Sequence, residues 1–262
     1  MTAQREARRR TAVYVYGIIP GDVELEAAAL GVGEPPGEVR LLRHQDLAAL
    51  VSDVDVDQKE QLGRPEDLMA HEELLDSCSA DVPVLPLRFG SIVTDDDAVT
   101  RELLAEHYDE FKDALEELEG RAEYVIRGRY AENAILREVL AENDEATRLS
   151  EQIRNTGEDA TRDIRMRLGE IVSNAIAGKR ESDTASVIDA MKGHAAATVV
   201  REPTHELDAV YAAFLVETDE MAEVEDAIAK LARDWDGRVE LRLLGPLAAY
   251  DFIGTVSPAP ED

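Results

Sequence analysis

The chain has 262 residues, 44% of them apolar, which is enough to build a core and excludes wholesale disorder. Its formal charge of −29, from 57 acidic and 28 basic residues, makes nucleic-acid phosphates and anionic lipid surfaces poor direct partners. The single cysteine, Cys78, excludes an intramolecular disulfide, and no Cys/His spacing suggests zinc.

The start, MTAQREARRRTAV, is basic, but the apolar stretch behind it is broken by Gly17 and Pro20. It reads as a disordered tail over 1–11 and not as a signal peptide. No apolar run is long enough to span a membrane, so the expectation is a soluble, cytoplasmic protein. AVYVYGII, closed by Pro20-Gly21, predicts a strand and a turn. LEAAALGVGEPPGE reads as a short helix-like piece and a Gly/Pro loop, and the LAALVSDV part of residues 39–54 as a strand. PEDLMAHEELLDSCS predicts a helix over 65–79, with Pro65 in its first turn, Glu66 and Asp67 favouring the dipole, and Leu68, Leu74, Leu75 and Cys78 on its inner side. His71-Glu72-Glu73 reads as exposed helix surface.

VPVLPLRFG, residues 82–90, is an apolar run in which Pro86 points to an edge strand. Behind it, with Thr94 as cap, Leu104, Tyr108, Phe111, Leu115 and Leu118 recur at steps of four, three, four and three, one apolar stripe on a long acidic helix ended by Gly120. The acidic residues of this helix read as solvated surface, with docking of a basic partner as the alternative. AEYVIRGRY predicts a further strand. Residues 12–130 therefore form an N-terminal α+β domain, a modified ferredoxin-like sheet with helices on one face.

From 131 to 193 strand signals vanish. One or two long helices are expected, interrupted near Asn155-Thr156-Gly157 or ending at Gly178, then a shorter helix over 183–192. This segment either braces the domains or extends as a partner-binding arm. AATVVREPT and LDAVYAAFLVET read as paired strands, MAEVEDAIAKLARDW as an amphipathic helix and GRVELRLLGP as a last strand. Together, 131–254 make a C-terminal, smaller α+β unit with long added helices, and 255–262 a loose tail.

Candidate chemistry is sparse. His71 and Cys78 lie on one side of a helix, but seven residues at a rise of ~1.5 Å separate them by about 10 Å, too far for a dyad. A structural thiol is the better reading of Cys78. Asp95-Asp96-Asp97 lacks the ligand spacing of a calcium loop and suits a helix start. Neither GxxxxGK[ST] nor GxGxxG occurs. No catalytic, cofactor or metal residues are assigned, and no enzyme is expected.

Two stretches stand apart: VLPLRFG, and LLGPLAAYDF at 243–252, where a strand runs into Gly245-Pro246 and carries aromatics onward. Taken in order, YVYGIIP, His71-Glu72, VLPLRFG, the acidic helix, YVIRGRY, AAFLV and GPLAAYDF resemble the gas vesicle accessory protein family GvpL/GvpF. The closing motif of that family often reads GPWPPYSF; here Leu247, Ala248 and Ala249 replace its Trp-Pro-Pro part. The resemblance implies two α+β domains, ferredoxin-like or modified from it, the C-terminal one the smaller ferredoxin-like unit with long added helices. It also implies a non-catalytic part in building gas vesicles, and contacts with the hydrophobic shell subunit GvpA and other accessory Gvp proteins. The candidate contact residues are Pro86, Arg88, Phe89, Gly90, Gly245, Pro246, Tyr250 and Phe252. Arg88 is expected to orient the corner through a carboxylate, and Gly90 to allow close backbone approach. A small-molecule-binding regulatory module is the alternative function. The oligomeric state and the F or L role stay open.

Overall fold

The computed structural model describes residues 11–25, 29–55, 62–155 and 161–253. The calls on the two tails, on the helix-like piece at 26–28 and on Thr156-Gly157 lie outside these residues. The chain divides into two compact units, Met1–Glu123 with Gly245–Asp262, and Tyr124–Leu244. The expected domains, 12–130 and 131–254, differ at two places: residues 124–130 go with the second unit, and the terminal segment goes with the first.

The first unit is built on β1 (Thr11–Pro20), which pairs antiparallel along its length with β3 (Leu47–Asp55). β2 (Arg40–His44) closes one edge. The other edge is made of two short strands, β4 (Leu85–Pro86) and β5 (Ile92–Val93), both paired with β1. β1 is buried on both faces, which explains its unbroken run of β-branched and aromatic residues. A register shift between Val15 and Gly17 changes the phase of alternation. Tyr14, Tyr16 and Ile19 thus share one core, and Val13, Val15 and Ile18 the other.

Helix α1 (Pro65–Ser79) supplies Leu74 and Leu75 to the first core. A π-wound stretch, Val99–Ala105, and α3 (Tyr108–Leu118) supply Leu104, Phe111 and Leu115 to the second. The unit therefore carries helices on both faces of its sheet, correcting the one-face expectation. The expected single acidic helix is divided: a short α2 (Asp96–Ala98), the π-wound stretch, then α3. Its cap is Asp95, one residue past Thr94, accepting from the Ala98 N–H at 2.9 Å. The apolar stripe survives the division, with Leu104, Phe111, Leu115 and Leu118 buried.

The second unit runs β6 (Arg121–Tyr130), α4 (Glu132–Glu142), α5 (Asp144–Asn155), α6 (Arg162–Met191), β7 (Ala195–Val200), β8 (Asp208–Glu217), α7 (Met221–Asp234) and β9 (Val239–Leu247). Its four-stranded sheet has the order β7-β8-β6-β9. Gly178 does not end a helix, and 183–192 is not a separate one: α6 is continuous. Tertiary anchors in the turns just after it offset the cost of the glycine, about 1 kcal/mol. Lys179 bonds Glu138 and Glu142 at 2.6 Å each, Arg180 Nε donates to the Asp208 carbonyl at 2.6 Å, and Asp183 accepts from Tyr130 Oη at 2.6 Å. Arg238 joins the same cluster, bonding Glu138 at 2.8 Å and Asp183 at 2.9 Å. Among the described residues no helix is long and apolar enough to cross a membrane.

Candidate functional site

Strand β4 is the centre of residues 82–90. Leu85 pairs with Ile18 and Pro86 with Gly17, and the Leu87 N–H donates to the Tyr16 carbonyl at 2.9 Å. Val84, Leu85 and Leu87 are buried, so most of this stretch is core. Only Leu85 and Pro86 are strand; beyond them the chain turns, with Ser91 N donating to the Arg88 carbonyl at 3.1 Å. Pro86 is half-buried and Arg88 exposed. No carboxylate pairs with Arg88 among the described residues; its carbonyl, which also accepts from Ser91 Oγ at 2.8 Å, shapes the turn. Gly90 has φ +90° and an open space where a Cβ would stand, so it is needed for its conformation and not for close approach. The close approach belongs to Gly17, where a Cβ would lie 2.8 Å from the Leu85 carbonyl oxygen.

Behind this corner sits an aromatic cluster that the sequence did not disclose. Tyr14 Oη accepts from the Gly90 N–H at 2.9 Å and contacts His71 Nδ1 at 3.0 Å. Phe89 meets Tyr14 and His71 edge-on, at centroid distances of 6.1 and 5.6 Å. Tyr16 stacks on His71, bonds Ser52 Oγ at 2.7 Å and accepts from Val32 N at 2.8 Å. His71 is thus 1% exposed, correcting its reading as helix surface. The missed signal was its place in the 71/74/75/78 spacing of the inner side of α1. Burial lowers its pKa to about 4, opposed by the nearby Leu87 carbonyl, which lies outside hydrogen-bond geometry to Nε2. The neutral ring accepts the Tyr14 proton at Nδ1, because Tyr14 oxygen already accepts from Gly90. Burial also raises the phenol of Tyr14, which therefore stays protonated.

The second stretch folds onto the same core. Beyond the cis Gly245-Pro246 bond, Ala248 and Ala249 are buried. The Ala248 N–H donates to Asp76 Oδ1 at 2.9 Å, and Asp251 N to Glu123 Oε2 at 2.9 Å. These two carboxylates, on α1 and at the start of β6, hold the terminal segment in the first unit. Tyr250 packs against the cluster that contains Tyr14, and Phe89 packs on it too. Its hydroxyl is buried without a partner among the described residues. Burial, then the charges of Asp76, Glu72 and Glu123, raise its pKa. Phe252 lines a cavity of about 150 Å³ with Leu85, Phe111 and Leu118. Burial raises Asp76 as well, against its bond from Ala248. Asp76→Ala is expected to cost about 2 kcal/mol by leaving the Ala248 N–H unpaired, and to speed cleavage of the terminal segment in limited proteolysis. Cleavage at the parent rate would show that Asp76 does not hold it.

Catalytic geometry does not develop around Cys78. Burial raises its thiol pKa, which disfavours the thiolate. The Nδ1 of His71 is taken by Tyr14. Among the described residues no three His, Cys, Asp or Glu side chains are grouped to hold a metal ion.

Comparison with known proteins agrees with the two motifs. The sequence model described as gas vesicle synthesis protein GvpL/GvpF matches residues 12–254. Gas vesicle protein F of Streptomyces sp. (strain CB03234) is 38% identical over 243 residues, covering 92% of this chain and 98% of that protein. The fold is that of the crystal structure of GvpF from Anabaena sp. PCC7120, with a TM-score of 0.75 at 20% identity over 92% of this chain and 98% of that one. GvpF from Microcystis aeruginosa superimposes with a TM-score of 0.72 at 18% identity, over the same 92% and 98%. A match running from the first strand through the terminal Tyr250 segment, shared with so complete a relative, means that this chain belongs to the GvpL/GvpF family of gas vesicle synthesis proteins.

Proposed function

We propose that this protein is a non-catalytic assembly factor or minor structural component of the gas vesicle, and that it contacts the hydrophobic shell subunit GvpA and other accessory Gvp proteins through its first unit. One observation carries the reading: Phe89, from the Pro86–Gly90 corner, and Tyr250, from the Gly245–Phe252 segment, pack on one core cluster while both stay partly exposed. Two stretches far apart in sequence thus present half-buried apolar side chains from one well-anchored support. A shell subunit that will face gas exposes apolar surface in water until it is assembled. A partner with a charge of −29 keeps such a complex soluble while offering a limited apolar contact.

Co-expression with GvpA and affinity purification at moderate and high salt tests this. Soluble co-purification that survives high salt is expected, with Phe252→Ser lowering the recovered GvpA at least tenfold at unchanged circular dichroism and melting temperature. Recovery equal to the parent would move the contact away from the terminal segment. Absence of GvpA at every salt concentration would remove it as the partner.

A further inference from the structure

The sheet of the second unit ends in an edge unlike the others in this protein. β2 carries Arg40, Arg43 and His44, β9 carries Glu240, Arg242 and Pro246, and β4 and β5 are only two residues long, β4 with a proline. Such features block pairing with other chains. β7, AAATVV, has no charge and no proline over six residues, and it lies at the end of the order β7-β8-β6-β9.

Its backbone is half used. Arg201 N donates to the Tyr211 carbonyl at 2.9 Å, and Val199 pairs with Ala213. By the alternation of an antiparallel ladder, the N–H and C=O groups of Thr198 and Val200 point away from β8. Both residues are exposed, and these groups have no hydrogen-bond partner in the protein among the described residues. Beside this edge runs a groove of about 500 Å³ between α6 and the sheet, lined by Glu181, Thr184, Ala185, Ile188, Val200 and Tyr211. Ile188 and Val200 are 36% and 55% exposed, the apolar floor that a new strand's side chains would cover.

We infer that β7 is a strand-addition site: it takes an extended, uncharged segment of a partner protein, with small or β-branched side chains at alternate positions. The open ladder selects a strand over a helix, and the groove receives every second side chain. The charge selects against a second copy, because self-pairing at β7 would bring together two chains of −29 each.

The test uses the full chain and the peptide Ac-KTVTVTVK-NH2, followed by amide hydrogen exchange and fluorescence titration. The peptide is expected to bind and to slow exchange of the Thr198 and Val200 amides at least tenfold, with no such effect from Ac-KTVTPTVK-NH2. Thr198→Pro removes an outward donor and leaves the β8 ladder whole, so it is expected to raise Kd at least tenfold at an unchanged melting temperature. Val200→Lys, an exposed change that does not touch the backbone, should weaken binding too and serves if the proline variant misfolds. The inference is overturned by equal protection from both peptides, by no protection, or by protection that grows with protein concentration alone.

Discussion

Tyr14→Phe is expected to lower the unfolding free energy by about 2 kcal/mol, because one lost hydroxyl strands the buried His71 Nδ1 and removes the acceptor of the Gly90 N–H at the exposed turn. Urea denaturation at pH 7 measures it, and a loss below 1 kcal/mol would mean that water or a shifted turn replaces the phenol. The same network makes stability depend on pH. His71 has a folded pKa of about 4 against an ordinary 6.5, so between these values the unfolded chain binds a proton that the folded chain refuses. Its contribution is therefore complete above pH 6.5 and is lost as pH falls towards 4, a total of about 3 kcal/mol. Carboxylates titrate in the same range, so the informative quantity is a difference. The stability of the parent minus that of His71→Gln should fall by about 3 kcal/mol from pH 7 to pH 4. A difference that stays constant would mean that His71 is protonated within the folded unit as readily as in water.

Gly17→Ala tests how β4 is seated. The new methyl would stand 2.8 Å from the Leu85 carbonyl oxygen and 2.9 Å from Leu75 Cδ2. One obstacle is backbone and the other a side chain that is fully buried, so neither gives way freely. A cost of about 1–3 kcal/mol is expected, as for other overpacked cores. Hydrogen exchange should localise the effect: the Leu87 amide, which bonds Tyr16, should lose protection before the pairs between β1 and β3 do. Parent-like stability and protection would show that β4 is not held close against β1. This variant also tests the proposed contact, since it loosens the support of Phe89 while leaving the side chains of residues 82–90 intact.

Much of the architecture was legible because its causes are local. β-branched and aromatic residues over 12–19 specify a strand wherever it packs, and Pro65 with Glu66 and Asp67 starts a helix whatever lies above it. The stripe from Leu104 to Leu118 marked its buried side even though the helix proved to be divided and π-wound at its start. Spacing also showed that His71 and Cys78 could not form a dyad. The motifs around Phe89 and Tyr250 marked the family, since they are compact and unusual.

What remained hidden depends on partners remote in sequence. His71 read as surface because its neighbours Glu72 and Glu73 are charged, yet the partner that makes its burial tolerable, Tyr14, is 57 positions away. Gly178 read as a helix end by propensity, and it was overruled by anchors on β6, β8 and α4 that no local window contains. The return of the terminal segment to the first unit rests on Asp76 and Ala248, 172 positions apart. Sequence by itself determined most of the strand and helix segments and the apolar side of several, because torsional preference and periodicity act within about ten residues, although Leu68, expected on the inner side of α1, is exposed. Only the tertiary structure decided which polar groups are buried and which segments meet. A buried donor or acceptor must find its partner wherever the fold brings one, and chain distance carries no record of that choice.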